Sequence, residues 1–126
     1  MKRMPGAIIV LISLILLSWI NYTLIRNLET KITENIDYSL NAIMSDDYEN
    51  ANDYLQDAQT IFQNSEGYLG AVVRHAELDS AFLSFARLSA LLQVQDKDSY
   101  IEECEVLKKM IEHISDMESL SIRNVL

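Results

Sequence analysis

The chain of 126 residues holds one proline, three glycines and one cysteine. Pro5 and Gly6 lie at the very start, so only Gly67 and Gly70 are left to punctuate everything after them. Strands need tight turns, and turns draw on Gly, Pro, Asn and Asp clusters, so this scarcity excludes a strand-rich fold. The lone Cys104 excludes an internal disulfide. Basic charge is also thin: from Asn27 onward seven Lys and Arg stand against all 19 acidic residues, a net of −12. A domain so acidic lacks the basic footprint that nucleic-acid binding requires. Catalytic patterns are missing as well. The chain has no Gly-rich phosphate loop and no His-Glu-x-x-His, and no Ser/His/Asp arrangement stands out among its many serines. A non-enzymatic protein with no cofactor is expected.

Charge is wholly absent from residues 4–25, and this absence says the most. As a helix rising about 1.5 Å per residue, 22 residues span about 33 Å, enough to cross a hydrocarbon core of about 30 Å. Its centre is nearly all Ile, Leu and Val, interrupted by Ser13 and Ser18, and Trp19 and Tyr22 near its end suit the headgroup level. Lys2 and Arg3 ahead of an apolar stretch also open a secretory signal peptide. Cleavage needs small residues at the exit, however, and the exit here is Ser18-Trp19-Ile20-Asn21-Tyr22-Thr23. An uncleaved anchor is therefore expected. Lys2 and Arg3 bias the N-terminus to the cytoplasm, although Arg26 and Lys31 beyond the run weaken that bias. The expected organisation is a cytoplasmic N-terminus (1–3), a transmembrane anchor (4–25) and an extracytoplasmic helical bundle (26–126). With about three residues on the cytoplasmic side, any signal would pass through a partner.

Beyond the run, apolar residues recur at three- and four-residue spacing, the period of a helix. The expected fold is all-α, an N-terminal transmembrane helix leading into an antiparallel up-down bundle of three to four helices. Leu28, Ile32, Ile36, Leu40 and Ile43 form the first stripe, and one long helix over 5–44 is plausible. Asp46 and Glu49 are spaced as a capping box opening a second helix with Tyr48, Ala51, Leu55, Ala58 and Phe62 on one face, Tyr54 and Ile61 beside it. A third helix over 68–94 carries Val72, Leu78, Phe82, Phe85, Ser89 and Leu92. After a turn at 95–98, Ser99 and Glu102 read as a second capping box, and the fourth stripe is Ile101, Cys104, Leu107, Ile111, Ile114 and Met117. The tail 119–126 has Leu120, Ile122, Val125 and Leu126 and is expected to pack back onto the bundle.

Among polar residues His75 is the most interesting, on or beside the apolar stripe and four residues before Asp79. The pair could share a metal or a proton, with His113 as a third candidate. The plainer reading is a core-edge histidine bonded to a carboxylate or carbonyl. Val72 and Met110 occupy the positions where a di-iron bundle would place Glu, so no metal site is expected. Asp46, Asp47, Glu49, Asp53 and Asp57 form an acidic face that lacks the glycine of a calcium loop and reads as solvated, or as a weak attraction for cations or a basic partner. Cys104 reads as a buried, unreactive thiol.

Arg74-His75-Ala76-Glu77-Leu78-Asp79, the run His113-Ile114-x-x-Met117-Glu118 and the closing Ser119-Leu120-Ser121-Ile122-Arg123-Asn124-Val125-Leu126 together carry a resemblance. They resemble the family catalogued as domain of unknown function 4363, small membrane-anchored helical proteins of Firmicutes, with Val125 in place of the usual Ile. The resemblance implies no reaction and no cofactor. It implies structural or interaction roles for Glu77, Glu118 and Asn124, and a small multi-pass membrane protein as partner. From the residues, Asn124 could tie down the tail and Glu118 could pair with Arg123 or His75. Two functions are carried forward: an accessory or interaction module for another membrane or envelope protein, and alternatively a ligand- or cation-sensing bundle working through a partner. A homo-oligomer stays open.

Overall fold

The computed structural model describes residues 4–125, with side chains described for 5–70 and 73–116. Five helices account for nearly all of it: α1 (Met4–Met44), α2 (Tyr48–Asn64), α3 (Glu66–Val72), α4 (His75–Gln93) and α5 (Lys97–Val125). No strand occurs among the described residues.

α1 runs unbroken for 41 residues. The helix is exposed on every side from Pro5 through Leu17, and it is long and apolar enough to cross a membrane. Its second half supplies Ile25, Ile32, Ile36 and Ile43 to the core. With the i→i−4 ladder never interrupted, the apolar run and the first bundle helix form one rod. Ile25, the last residue of the uncharged run, is 2% exposed and packs with the bundle rather than with the run.

The remaining stripes bury as the helical period requires. Ala51, Leu55, Ala58 and Phe62 come from α2, Leu78, Ala81, Phe85, Leu88 and Leu92 from α4, and Cys104, Leu107, Ile111 and Ile114 from α5. Each large side chain so buried stabilises the fold by about 1.5–3 kcal/mol. Phe62 is the hinge of the aromatic core, edge-on to Phe82 at 4.8 Å between ring centroids and tilted against Phe85 at 5.6 Å. Facing pairs fix relative directions. Tyr38 and Ser39 of α1 meet Tyr54 and Ala51 of α2. Asp46, in the turn after α1, and Asp37 of α1 pair with Lys97 and Lys108 of α5. In each pair of helices residue numbers rise along one as they fall along the other.

Both capping boxes shift. Asp47, not Asp46, caps α2, its carboxylate accepting from the Asn50 amide at 3.2 Å. Asp96, not Ser99, caps α5, accepting from the Ser99 amide at 3.3 Å. The caps move in opposite directions along the chain, one residue later at α2 and three earlier at α5, and each falls on the last residue of the Schellman motif that ends the preceding helix. At the end of α1 the amides of Asp46 and Asp47 donate to the carbonyls of Ile43 and Ala42, both at 2.9 Å. At the end of α4 those of Gln95 and Asp96 donate to Leu92 and Leu91, at 3.2 and 3.0 Å. The left-handed residue each motif needs is Asp46 (φ 58°) and Gln95 (φ 55°), neither a glycine. Gly67 and Gly70 lie instead inside α3.

One further expectation is corrected. The single helix over 68–94 is broken: Val73 (φ −121°, ψ 151°) and Arg74 (φ −64°, ψ 137°) are extended, separating α3 from α4. A β-branched residue at 73, stiff at χ1, favours such a break. The tail, expected to pack onto the bundle, continues α5 as helix to Val125. What its side chains touch lies outside the described residues.

Candidate functional site

His75 opens α4 and is exposed, not set into the apolar stripe. The break at Val73 and Arg74 moves the helix start next to it and turns it to solvent. With Asp79, also exposed, it rims a surface depression of about 410 Å³ lined by Glu66, Gly67 and Gly70 of α3 and Leu78 and Phe82 of α4. The two glycines leave that face of α3 bare. Among the described residues no three His, Cys, Asp or Glu side chains converge as a metal site would require. Glu77 is half-buried in the first turn of α4, where a carboxylate suits the helix dipole. His113 is exposed on α5, and no contact joins it to His75 among the described residues. Glu118 and Asn124 lie on α5, their side chains outside the described residues.

The side-chain chemistry that is organised is buried and ties helices together. Ser39 donates to the Ala51 carbonyl at 2.7 Å, and its oxygen is hydrogen-bonded to the Tyr100 hydroxyl. Ser84 donates to Glu103 at 2.8 Å, with Arg87 at 3.8 Å from the same carboxylate. Cys104, one turn beyond Tyr100, is fully buried, and burial pushes its thiol up to about 12. That thiol is inert at neutral pH, as expected from its stripe position. The Lys108 ammonium is held above its ordinary value by its 2.8 Å hydrogen bond to Asp37. Ser115 is buried with an unpartnered hydroxyl. Nothing in this set pairs a nucleophile with a base.

Two surface features escaped the sequence reading. Tyr38 and Tyr54 pack ring against ring, centroids 5.3 Å apart and planes tilted by 42°, yet they are 50% and 37% exposed. Glu34, one turn from Tyr38, and Asp53 and Asp57 beside Tyr54 are exposed around them, so the acidic face of α2 carries an aromatic centre. Their spacing held a signal, since Tyr54 is off the α2 stripe by a third of a turn. The second feature is a cleft between α1 and α3 at Tyr68, whose hydroxyl lies 3.5 Å from the Asn21 carbonyl. Nothing local in the sequence predicts this pairing across 47 positions.

No curated protein and no solved structure matches the chain. One family model matches residues 19–125, taking in the last turns of the apolar run, all of α2, α3 and α4, and α5 to its end. The chain belongs to that family, described as Domain of unknown function (DUF4363).

Proposed function

We propose that the protein is a single-pass membrane protein whose helical bundle is a non-enzymatic interaction module for another membrane or envelope protein. Residues 4–25 span the bilayer with the N-terminus cytoplasmic, and residues 26–126 form an extracytoplasmic up-down bundle of α1, α2, α4 and α5 closed on the membrane side by α3. The opposed directions of facing helices and the Lys2-Arg3 pair support this arrangement. The observation that carries the interaction role is the Tyr38–Tyr54 pair. Two tilted rings in contact and left in solvent, with the exposed carboxylates of Glu34, Asp53 and Asp57 on the same two helices, have the composition of an interface anchor for a basic partner, because tyrosine gives large contact area at small entropic cost. The unbroken α1 adds rigidity, holding this face at a set height above the membrane, as a partner embedded alongside requires.

A photo-reactive amino acid at Tyr54 in the full chain, irradiated in native membranes, should yield an adduct with a membrane or envelope protein. Tyr38→Ala should reduce that adduct severalfold. Self-adducts alone would replace the accessory role with a homo-oligomer.

A further inference from the structure

The cleft at Tyr68 has two lobes that share Leu24 and Tyr68. One, about 330 Å³, is walled by Leu17, Ile20 and Leu24 of the apolar run. The other, about 300 Å³, is walled by Asn27, Leu28 and Lys31 of α1 and by Asn64 and Ser65 at the end of α2. Exposed polar surface therefore enters the groove only in the second lobe, where the uncharged run ends, beside the apolar wall of Leu24 and Leu28.

Three features argue for its occupant. Leu17 to Lys31 spans about 21 Å of helix, close to the depth of one leaflet with its headgroups, about 20–22 Å. The apolar lobe lies at acyl-chain depth and the polar lobe at headgroup depth, the order in which a phospholipid presents its parts. Lys31 is exposed and, like Arg74 and Lys109, forms no ion pair among the described residues, and of these three it is the one that lines the cleft. In a domain this acidic, an uncommitted ammonium beside two amide donors favours an anion.

We propose that this cleft binds one anionic phospholipid, with its phosphate at Lys31, Asn27 and Asn64 and an acyl chain along Leu24, Ile20 and Leu17. The proposal rests on α1 crossing a bilayer. Bound there, the lipid fills the gap between α1 and α3 and seats the membrane end of the bundle in the headgroup layer.

The test uses the full chain. Co-flotation with phosphatidylcholine vesicles first checks the membrane reading by itself, and a chain that does not float overturns that reading. Native mass spectrometry from mild detergent then compares retention of phosphatidylglycerol and phosphatidylcholine. Retention of one phosphatidylglycerol, at least fivefold over phosphatidylcholine, is expected. Lys31→Gln and Asn64→Asp, both at exposed positions, should each lower it severalfold while helical content and melting temperature stay unchanged. Equal retention of the two lipids, or variants that retain phosphatidylglycerol like the parent, would overturn the lipid site even in a protein that floats. A photo-reactive group at Tyr68 that captures a protein in place of lipid overturns it too.

Discussion

The Tyr100 hydroxyl donates to Ser39, because the single Ser39 proton is already committed to the Ala51 carbonyl. Three helices, α5, α1 and α2, are thereby joined by one chain of hydrogen bonds inside a core where Ser39, Ala51 and Tyr100 have no exposure. The order of donation makes the two ends unequal. Ser39→Ala strands a buried hydroxyl and should cost about 1–3 kcal/mol, whereas Tyr100→Phe leaves Ser39 its acceptor and should cost about 0.5–1.5 kcal/mol. Thermal melts of both variants and the double variant check this. A Tyr100→Phe loss as large as that of Ser39→Ala would contradict the assigned direction.

The two turns at the α1–α2 and α4–α5 junctions share one construction, a Schellman ending whose last residue caps the next helix. Gln95 adopts a left-handed conformation that a side chain resists by about 1–2 kcal/mol. Gln95→Gly should therefore raise stability by up to about 1 kcal/mol, while Asp47→Ala and Asp96→Ala should each lower it by about 1 kcal/mol. Shifts of the urea midpoint in these opposite directions are expected.

Alkali should unfold the protein. The Cys104 pKa rises from 9.0 in the unfolded chain to about 12 in the fold because burial disfavours the thiolate, and burial pushes the Tyr100 phenol up as well. Between those values the unfolded state releases the proton and the native state keeps it. Stability is thus full below about pH 9 and declines above it, by up to about 1.4 kcal/mol per pH unit for each group. Cys104→Ala should flatten the decline between pH 9 and 10, measured as melting temperature against pH. An unchanged slope would remove Cys104 as its source.

Ile25 belongs to the bundle although it closes the uncharged run. Ile25→Ala should cost about 2–4 kcal/mol, as truncation of a packed core side chain does. Ile9→Ala, at a position 64% exposed on the same helix, should leave the melting temperature of the bundle unchanged. Comparable losses at both positions would mean that the run is packed within the domain.

The stripes on α2, α4 and α5 were legible because helical burial imposes a period on the apolar residues. Leu55, Phe62, Phe85 and Leu107 all lie where that period puts them. The buried polar contacts were not. Ser39 and Tyr100 are separated by 61 positions, and no local pattern marks two hydroxyls that meet only after three helices pack. The site residues fared similarly. His75 looked like an edge of the stripe because it lies three residues before Leu78 and seven before Phe82; that register holds within α4, but the break at 73 and 74 makes His75 the first residue of the helix, where it is exposed.

The sequence by itself determined an all-helical chain with an apolar N-terminal helix of membrane-spanning length and an inert cysteine, since composition and periodicity act residue by residue. Tertiary structure decided that this helix enters the bundle without a break, that Tyr38 and Tyr54 meet as a tilted pair in solvent, and that Tyr68 closes a two-lobed cleft against α1. Those features depend on which distant helices meet, and that is set by the shapes of packed faces, for which no single segment carries the information.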